Sequence, residues 1–239
     1  MNNKEKSVTK TAKDALERIK NKVIISSQAM KGEPLYEECA MNAMIQSVLN
    51  GGAGGLRLAG ERDIRNARKM TDLPIIGITK PDKLPENWIE RVYITPSRED
   101  AKKVADAGAD IVAFDGTSRN RECEDTLEDL IAFVKKEQKF AMADISTKEE
   151  AINCEKLGVD IVSTTLAGYT KETQNIDMSS PDWALLSELT KSLKCPVILE
   201  GRIWTPEDVR KAFDLGAYAV VVGSAVTRPQ LITKRFVEA

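Results

Sequence analysis

Two side chains that could transfer protons stand where apolar, strand-like segments end. Lys80 follows Pro74–Thr79, and Glu200 ends the segment Pro196–Glu200. Removal from water, or a neighbouring arginine, would lower the pKa of such a lysine and leave a neutral amine able to act as a base. The alternatives are a surface lysine whose ammonium group reaches solvent and a structural ion pair between Glu200 and Arg202. In one pocket, Lys80 and Glu200 could remove a proton from a carbon acid and return it.

Two glycine-containing segments near the C-terminus have the features of an anion site. The apolar segments that end at Glu200 and Val222 are followed by Gly201-Arg202 and by Gly223-Ser224. Backbone N–H groups at the N-terminus of a helix bind phosphate. In a (β/α)8 barrel the loops after strands 7 and 8 commonly do so. We therefore predict a phosphate site at these two segments.

Composition excludes several classes of chemistry. The chain has 239 residues and no histidine, so it can form no Ser-His-Asp triad, no Cys-His pair and no His-ligated metal site. Its four cysteines include no C-x-x-C pair, so neither a metal knuckle nor a disulfide framework is expected. Acid–base chemistry must therefore use carboxylates, lysine, tyrosine or cysteine.

Charge and hydropathy limit the partners and the location. The net charge is −2, from 35 basic and 37 acidic residues, so no strong field attracts nucleic acid or a membrane surface. No apolar run is long enough to span a bilayer. The N-terminal segment is polar and lacks the apolar core of a signal peptide. We expect a cytoplasmic protein with no nucleic-acid or membrane partner.

An internal repeat predicts the fold. Three segments share a glycine that ends a helix-like stretch, followed by a strand rich in valine, isoleucine or alanine: Ala107–Val112, Leu157–Val162 and Leu215–Val220. A weaker fourth copy runs from Gly52 to Leu58. The other strand candidates lie between the copies: Val23–Ser26, Pro74–Thr79, Phe140–Ile145 and Pro196–Glu200.

Four repeats of two βα units predict a single (β/α)8 barrel of parallel strands buried on both faces. A doubly wound open sheet is the alternative, and eight units of similar length favour closure. The predicted helices are 37–50, 61–71, 97–107, 124–137, 147–157, 181–193, 205–215 and 228–238. Two longer connections, 80–93 and 164–180, follow strands and belong on the catalytic face of such a barrel.

The N-terminal residues 1–20 predict an extra amphipathic helix, separate from a barrel over 21–239. Val8, Ala12, Leu16 and Ile19 form its apolar stripe. Such a helix covers the bottom of the barrel or is partly frayed. A basic targeting arm is the alternative.

Polar residues at or just after each strand end form the predicted pocket. They are Gln28, Arg57, Lys80, Asp115, Asp144, Thr164, Thr165, Glu200, Arg202, Gly223, Ser224 and Arg228. The alternative for any one of them is that it is polar merely because the strand end meets water. Strands 3 and 7 lie opposite each other in a ring of eight. Lys80 and Glu200 would then face each other across the width of one small molecule.

Several segments together resemble a known enzyme family. They are Ser26-Ser-Gln-Ala29, Pro74-Ile-Ile-Gly-Ile78 with Lys80, Ala141-Met-Ala-Asp-Ile-Ser-Thr147, Ser163-Thr-Thr-Leu-Ala-Gly-Tyr-Thr170, Glu200-Gly-Arg202, Val222-Gly-Ser-Ala-Val-Thr-Arg-Pro229 and Ile232-Thr-Lys-Arg-Phe236. In this order they resemble the bacterial N-acetylmannosamine-6-phosphate 2-epimerases of sialic-acid and amino-sugar catabolism. The resemblance covers about residues 22–236. It implies a TIM barrel that uses no cofactor and no metal.

The resemblance also implies roles for individual residues. Lys80 and Glu200 match the catalytic lysine and glutamate. The matches to the polar substrate pocket are Gln28, Arg57, Asp144, Thr165, Tyr169 and Arg228, and those to the phosphate loops are Gly201, Arg202, Gly223 and Ser224. This chain departs from the common family pattern at Ser27, at Arg57-Leu-Ala-Gly60, at Pro81 and at Ala167. Pro81 stands where an arginine usually follows the catalytic lysine, so it implies either an altered substrate preference or a different path for the 80–93 loop.

The function predicted is interconversion of N-acetylmannosamine 6-phosphate and N-acetylglucosamine 6-phosphate. The C2 proton, α to the C1 aldehyde of the open-chain sugar, is removed and then returned on the other face. Arg57 or Arg228 would stabilise the enolate oxygen. The alternatives are a catalytically silent sugar-phosphate sensor and an epimerase or isomerase for a related sugar phosphate. By analogy with other barrels we expect a homodimer.

Overall fold

Eight parallel strands close into a barrel in the computed structural model, which describes residues 14–238. Each strand pairs with the next along the chain, and the last pairs with the first through Val23–Val220, Ile24–Val221 and Ile25–Val222. This closure confirms the predicted (β/α)8 barrel and excludes the open sheet. The strands are β1 (Val23–Ser27), β2 (Gly55–Ala59), β3 (Ile75–Ile78), β4 (Ile111–Asp115), β5 (Phe140–Asp144), β6 (Ile161–Ser163), β7 (Val197–Glu200) and β8 (Ala219–Val222).

One helix precedes β1, and the others follow the strands around the outside of the barrel. They are α1 (Ala15–Ile19), α2 (Glu38–Asn50), α3 (Glu61–Met70), α4 (Arg98–Asp106), α5 (Leu127–Lys136), α6 (Lys148–Leu157), α7 (Trp183–Ser192), α8 (Pro206–Asp214), α9 (Ser224–Thr227) and α10 (Pro229–Val237). Short 3₁₀ turns lie at Pro34–Tyr36 and Trp88–Glu90. The predicted helices agree with these bounds to within a few residues.

Local capping explains where several helices begin. Thr147 accepts a hydrogen bond from the backbone of Glu150, whose carboxylate accepts one from the backbone of Thr147. Thr205 and Asp208 form the same reciprocal pair at α8. Such capping boxes satisfy backbone donors that have no partner inside the helix. Each fixes the start of a helix, and with it the length of the loop that leaves the preceding strand.

The repeated Gly-x-Asp element closes the bottom of the barrel. Gly108 and Gly158 have φ of +107° and +92°, a conformation that glycine adopts without strain. In each copy the aspartate that follows accepts a hydrogen bond from the preceding strand of the barrel. Asp110 bonds to the backbone N–H of Ile75 at 3.0 Å, and Asp160 to that of Ala141 at 2.8 Å. The repeat therefore joins β3 to β4 and β5 to β6.

Helix α1 packs against the interior of the barrel at this end. Ile19 is fully buried and belongs to the same apolar cluster as Ile24, Ile111, Ile161 and Ile198, which fill the barrel. Tyr218 stands where the aspartate lies in the other two copies, and its hydroxyl donates to the Leu16 carbonyl at 3.1 Å. Val8 and Ala12 of the predicted stripe lie outside the described residues.

Candidate functional site

Alternation along the strands decides which side chains enter the barrel. Leu56 and Leu58 pack with the outer cluster beneath the helices, so Arg57 between them faces the interior. On β3 the interior residues are Ile76 and Ile78, and the next position with the same parity is Lys80. The same rule brings further polar side chains to the interior at the carboxyl end of the barrel: Gln28, Asp115, Asp144, Thr165 and Glu200. On β8 the corresponding position is Gly223.

Arg57 lies at the centre of the polar cluster. Its side chain is 1% exposed and makes two hydrogen bonds to Asp144, at 3.0 and 2.5 Å. Its Nη1 also donates to Glu200 Oε2 at 2.5 Å. The Thr165 hydroxyl lies 2.8 Å from Asp144 Oδ1 and 3.2 Å from Glu200 Oε2, within donor reach of both. One cation thus holds two carboxylates from β5 and β7.

The cluster shifts the proton affinity of its members. Burial alone would lower the pKa of Arg57, but Asp144 and Glu200 outweigh it and raise that pKa, so the guanidinium stays charged. Burial raises the pKa of Glu200; Arg57 opposes this effect and Asp144 adds to it. The side chain of Glu200 is 14% exposed, so one edge of it reaches the space above. Glu200 therefore holds a proton more strongly than an ordinary glutamate does.

Lys80 borders the same space, opposite Glu200 in the ring of strands. Loss of solvation among the cavity walls, followed by the charge of Arg57, lowers its pKa to about 8. Glu200 and Asp144 act in the opposite direction without cancelling the shift. Lys80 is nevertheless an exposed residue, because the cavity is open to solvent. A ligand that covered it would remove solvent and lower the pKa further.

A cavity of about 470 Å³ opens above the cluster at the carboxyl ends of the strands. Most of the sequence-predicted site residues line it: Gln28, Lys80, Thr165, Tyr169, Glu200, Gly201, Arg202, Gly223, Ser224 and Arg228. Arg57 and Asp144 lie beneath its floor and do not line it. The two Nη atoms of Arg57 hold the carboxylates, while its Nε has no hydrogen-bond partner among the described residues. The expectation that Arg57 contacts an enolate oxygen stays a prediction. Asp115 is also absent from the lining.

The β7 and β8 ends form the wall predicted to bind phosphate. In the described part of the chain, the backbone N–H groups of Gly201, Gly223 and Ser224 donate to no protein acceptor. Helix α9 begins at Ser224, directly after Gly223. The guanidinium of Arg202 donates to the backbone carbonyls of Ala167 and Ser180 at 2.6 and 2.7 Å. Arg202 thus borders the cavity and also holds the 164–180 loop.

A second cavity of about 280 Å³ adjoins the first and shares Gln28, Lys80 and Arg228 with it. Gln28 donates to Ser26 Oγ at 2.9 Å, and Arg228 forms an ion pair with Glu33. Pro81 is exposed and lines this second cavity. Pro81, where this chain departs from the common family pattern, therefore lies next to Lys80 and outside the wall formed by β7 and β8.

Several residues at the site are not indicated by the sequence patterns. Glu33 is one, because its partner Arg228 is 195 positions away and no local pattern marks that pair. Met178 and Trp204 line the larger cavity. Trp204 lies only a few residues beyond β7, so a wider window after that strand would include it. Tyr93 ends the 80–93 connection, which the sequence assigns to this face without a role for the ring.

Two further features of residues 14–238 concern membrane spans and metal sites. None of the helices within 14–238 has the length and apolar character needed to cross a bilayer. Over the same range, no three Cys, Asp or Glu side chains are grouped closely enough to hold a metal ion.

Comparison with known proteins identifies the family. Residues 41–239 match the family model described as "Putative N-acetylmannosamine-6-phosphate epimerase". The chain belongs to this epimerase family. A relative from Clostridioides difficile is described as "Putative N-acetylmannosamine-6-phosphate 2-epimerase". It is 42% identical over 94% of this chain and 98% of its own length. A relative from Clostridium perfringens with the same description is 44% identical over 93% of this chain and 98% of its own length.

A solved epimerase structure agrees with the assignment. The N-acetylmannosamine-6-phosphate 2-epimerase from Clostridium perfringens superposes with a TM-score of 0.87 at 44% identity, covering 93% of this chain and 95% of that one. The tryptophan synthase α-subunit of Pyrococcus furiosus has a TM-score of 0.60 at 13% identity, a likeness that shows the barrel fold alone. The resemblance predicted from the motifs is confirmed at the level of the family.

Proposed function

We propose that this epimerase interconverts N-acetylmannosamine 6-phosphate and N-acetylglucosamine 6-phosphate by proton transfer at C2. The observation that carries the proposal is that Lys80, with a pKa lowered to about 8, borders the same cavity as Glu200. A lysine with that pKa is partly neutral near physiological pH and can act as a general base. The family membership supports the substrate and the reaction.

The reaction proceeds on the open-chain sugar, whose C2–H is acidified by the C1 aldehyde. The Lys80 amine takes the C2 proton and becomes an ammonium ion, and the electron pair moves onto the C1 oxygen. Glu200, which faces Lys80 across the cavity, is the acid of the second step: its carboxylic acid gives a proton to the opposite face of C2, the electron pair returns from the C1 oxygen and the aldehyde re-forms. Proton exchange with solvent then returns Lys80 to the amine and Glu200 to the acid, so the enzyme ends as it began.

Arg57 and Asp144 act on this chemistry through Glu200. Both lie beneath the cavity floor, and Arg57 is hydrogen-bonded to Glu200 and Asp144. They hold the Glu200 carboxyl in one orientation and set its proton affinity. Gln28, Thr165, Tyr169 and Arg228 line the cavity and contact the sugar hydroxyl and acetamido groups.

The phosphate binds at the wall of the same cavity that the ends of β7 and β8 form. The free N–H groups of Gly201, Gly223 and Ser224 supply donors without charge, and the N-terminus of α9 adds a favourable field. Arg202 supplies the nearby positive charge. Binding energy from the phosphate, remote from C2, orients a flexible open-chain sugar for proton transfer.

We also propose that the enzyme acts in the cytoplasm as a homodimer. The sugar-phosphate substrate and the mildly acidic composition support the location, and analogy with other barrels supports the dimer. Analytical ultracentrifugation of the full chain tests the dimer, and a single species of 26.4 kDa at working concentrations would contradict it. Fractionation of cells that express the native gene tests the location.

Proton NMR in D₂O tests the reaction. Wild-type enzyme incubated with N-acetylmannosamine 6-phosphate should produce the gluco epimer, with deuterium replacing the C2 proton in both sugars. Lys80→Met should abolish conversion and exchange. Lys83→Met is the matched control, because Lys83 is an exposed lysine of the same loop, and it should retain wild-type rates. Binding of the sugar phosphate with neither conversion nor exchange by wild-type protein would refute the proposal and indicate a silent sensor.

A further inference from the structure

Arg119 contacts both long loops that border the cavity, although it does not line the cavity itself. Its Nη1 lies 2.9 Å from the carbonyl oxygen of Trp88 in the 80–93 loop and 3.4 Å from that of Tyr169 in the 164–180 loop. Its guanidinium also lies over the ring of Tyr93, 5.5 Å from the ring centre. Tyr93 and Tyr169 both line the cavity.

The anchor of Arg119 is the rigid end of β4. Arg119 forms an ion pair with Asp115, the last residue of that strand, and its Nε donates to Thr117 Oγ1 at 3.0 Å. Asp115 is fully buried, and its carboxylate also accepts the Thr117 hydroxyl at 2.6 Å. The Arg119 side chain is only 3% exposed. A planar guanidinium with several donors in a fixed fork suits this arrangement better than an ammonium group would.

The position of the loops matters for the site because each loop carries a tyrosine, Tyr93 or Tyr169, that lines the cavity. The 80–93 loop starts at Lys80, and its base is closed by two hydrogen bonds between Thr79 and Thr95, at 3.0 and 3.2 Å. The contact with Trp88 holds the far part of this loop. The contact at Tyr169 holds the 164–180 loop beside Thr165.

We propose that Arg119 is a positioning residue for the epimerisation: it holds the two loops against the end of β4 and so places Tyr93 and Tyr169 around the substrate. This inference rests on the proposed function. The proton-transfer groups stand on or next to strand ends and do not depend on Arg119. Loss of the loop contacts therefore weakens substrate binding more than it slows the chemical step.

A purely structural role predicts a different kinetic result. A destabilised protein contains fewer folded molecules, so its maximal rate falls while the KM of the remaining molecules stays unchanged. A mispositioned cavity wall raises KM in molecules that are folded. The split between KM and kcat therefore separates the two roles.

The test compares Arg119→Lys and Arg119→Ala with Lys171→Ala. Arg119→Lys keeps a positive charge for Asp115 but cannot serve both loop carbonyls, so it should melt close to wild type while KM rises about tenfold. Arg119→Ala should show at least the same rise in KM, and added guanidinium ion should restore part of it. Lys171→Ala is the matched control, because the Lys171–Glu90 ion pair joins the same two loops at the exposed surface. Its KM should equal that of wild type, since exposed ion pairs contribute little.

Two results would overturn the inference. One is a wild-type KM in Arg119→Lys. The other is a lowered maximal rate in Arg119→Ala with no change in KM. Calorimetry gives a second comparison of the folded variants, through the affinity with which each binds N-acetylglucosamine 6-phosphate. Failure of wild-type epimerisation would refute the proposed function instead, and is thereby distinguished from failure of the role of Arg119.

Discussion

Arg57 Nη1 lies 2.5 Å from Glu200 Oε2, which links β2 to β7 across the interior of the barrel. The same guanidinium makes two hydrogen bonds to Asp144 on β5, so a single buried cation fixes two carboxylates at once. Of the three charged groups, Glu200 is the one that lines the cavity. Its orientation is therefore fixed by a residue that does not line the cavity, while burial raises the pKa of its carboxyl and Arg57 opposes that shift.

Replacing Arg57 should damage both stability and turnover. Arg57→Leu leaves Asp144 buried without a counter-charge, and breaking such a pair costs about 3–5 kcal/mol of unfolding free energy. In the folded fraction kcat should fall roughly a hundredfold, because Glu200 loses the donor that orients it. Urea unfolding and initial rates measure the two effects. Arg65→Ala, which removes an exposed pair with Glu61, is the control and should change neither.

The pH dependence of kcat/KM should follow the titration of Lys80. The base must be neutral to accept the C2 proton, and the pKa of Lys80 is lowered to about 8. The acid Glu200 must at the same time be protonated, so kcat/KM should follow a bell-shaped profile in which one limb titrates near 8. Rates measured from about pH 6 to about pH 9.5 in buffers of constant ionic strength provide the check. A profile with no limb near pH 8 would remove Lys80 as the base.

A negative charge at the start of α9 should interfere with substrate binding. Ser224→Glu places a carboxylate where the phosphate is proposed to bind, and like-charge repulsion should raise KM roughly a hundredfold. Ser224→Ala keeps the backbone N–H and should stay close to wild type. Competition by inorganic phosphate gives a second measurement, with weaker inhibition expected for Ser224→Glu alone. Equal KM values for the two variants would place the phosphate elsewhere.

The repeated aspartates should affect stability without affecting catalysis. Asp110 accepts the backbone N–H of Ile75 and pairs with Arg68, so Asp110→Ala leaves a buried donor unsatisfied. The expected loss is about 2–4 kcal/mol of unfolding free energy. Because Asp110 lies at the bottom of the barrel, kcat/KM per folded molecule should not change. Asp106→Ala removes an exposed pair with Lys102 and should leave stability within about 0.5 kcal/mol of wild type.

Much of the barrel can be predicted from local patterns. The Gly-x-Asp copies at 108 and 158 mark helix ends and strand starts, and capping pairs such as Thr147 with Glu150 mark helix starts. These signals can be recognised in the sequence because each depends on residues that are close together in the chain. The period-two alternation of a strand is equally local, and it is sufficient to place Lys80 and Glu200 at the mouth of a barrel.

The sequence by itself determined which strand ends carry the groups proposed for proton transfer and anion binding, because the face on which a side chain lies depends only on its position along its own strand. Tertiary structure alone decided which of those groups form ion pairs with one another. Arg57 and Glu200 are 143 positions apart, and Arg228 and Glu33 are 195 apart. The pairing of these charges depends on the stagger of the strands and on the height of each side chain in the barrel. Neither quantity can be predicted from a local sequence pattern. For that reason Arg57 and Asp144, which the sequence assigns to the pocket, lie beneath it and hold Glu200.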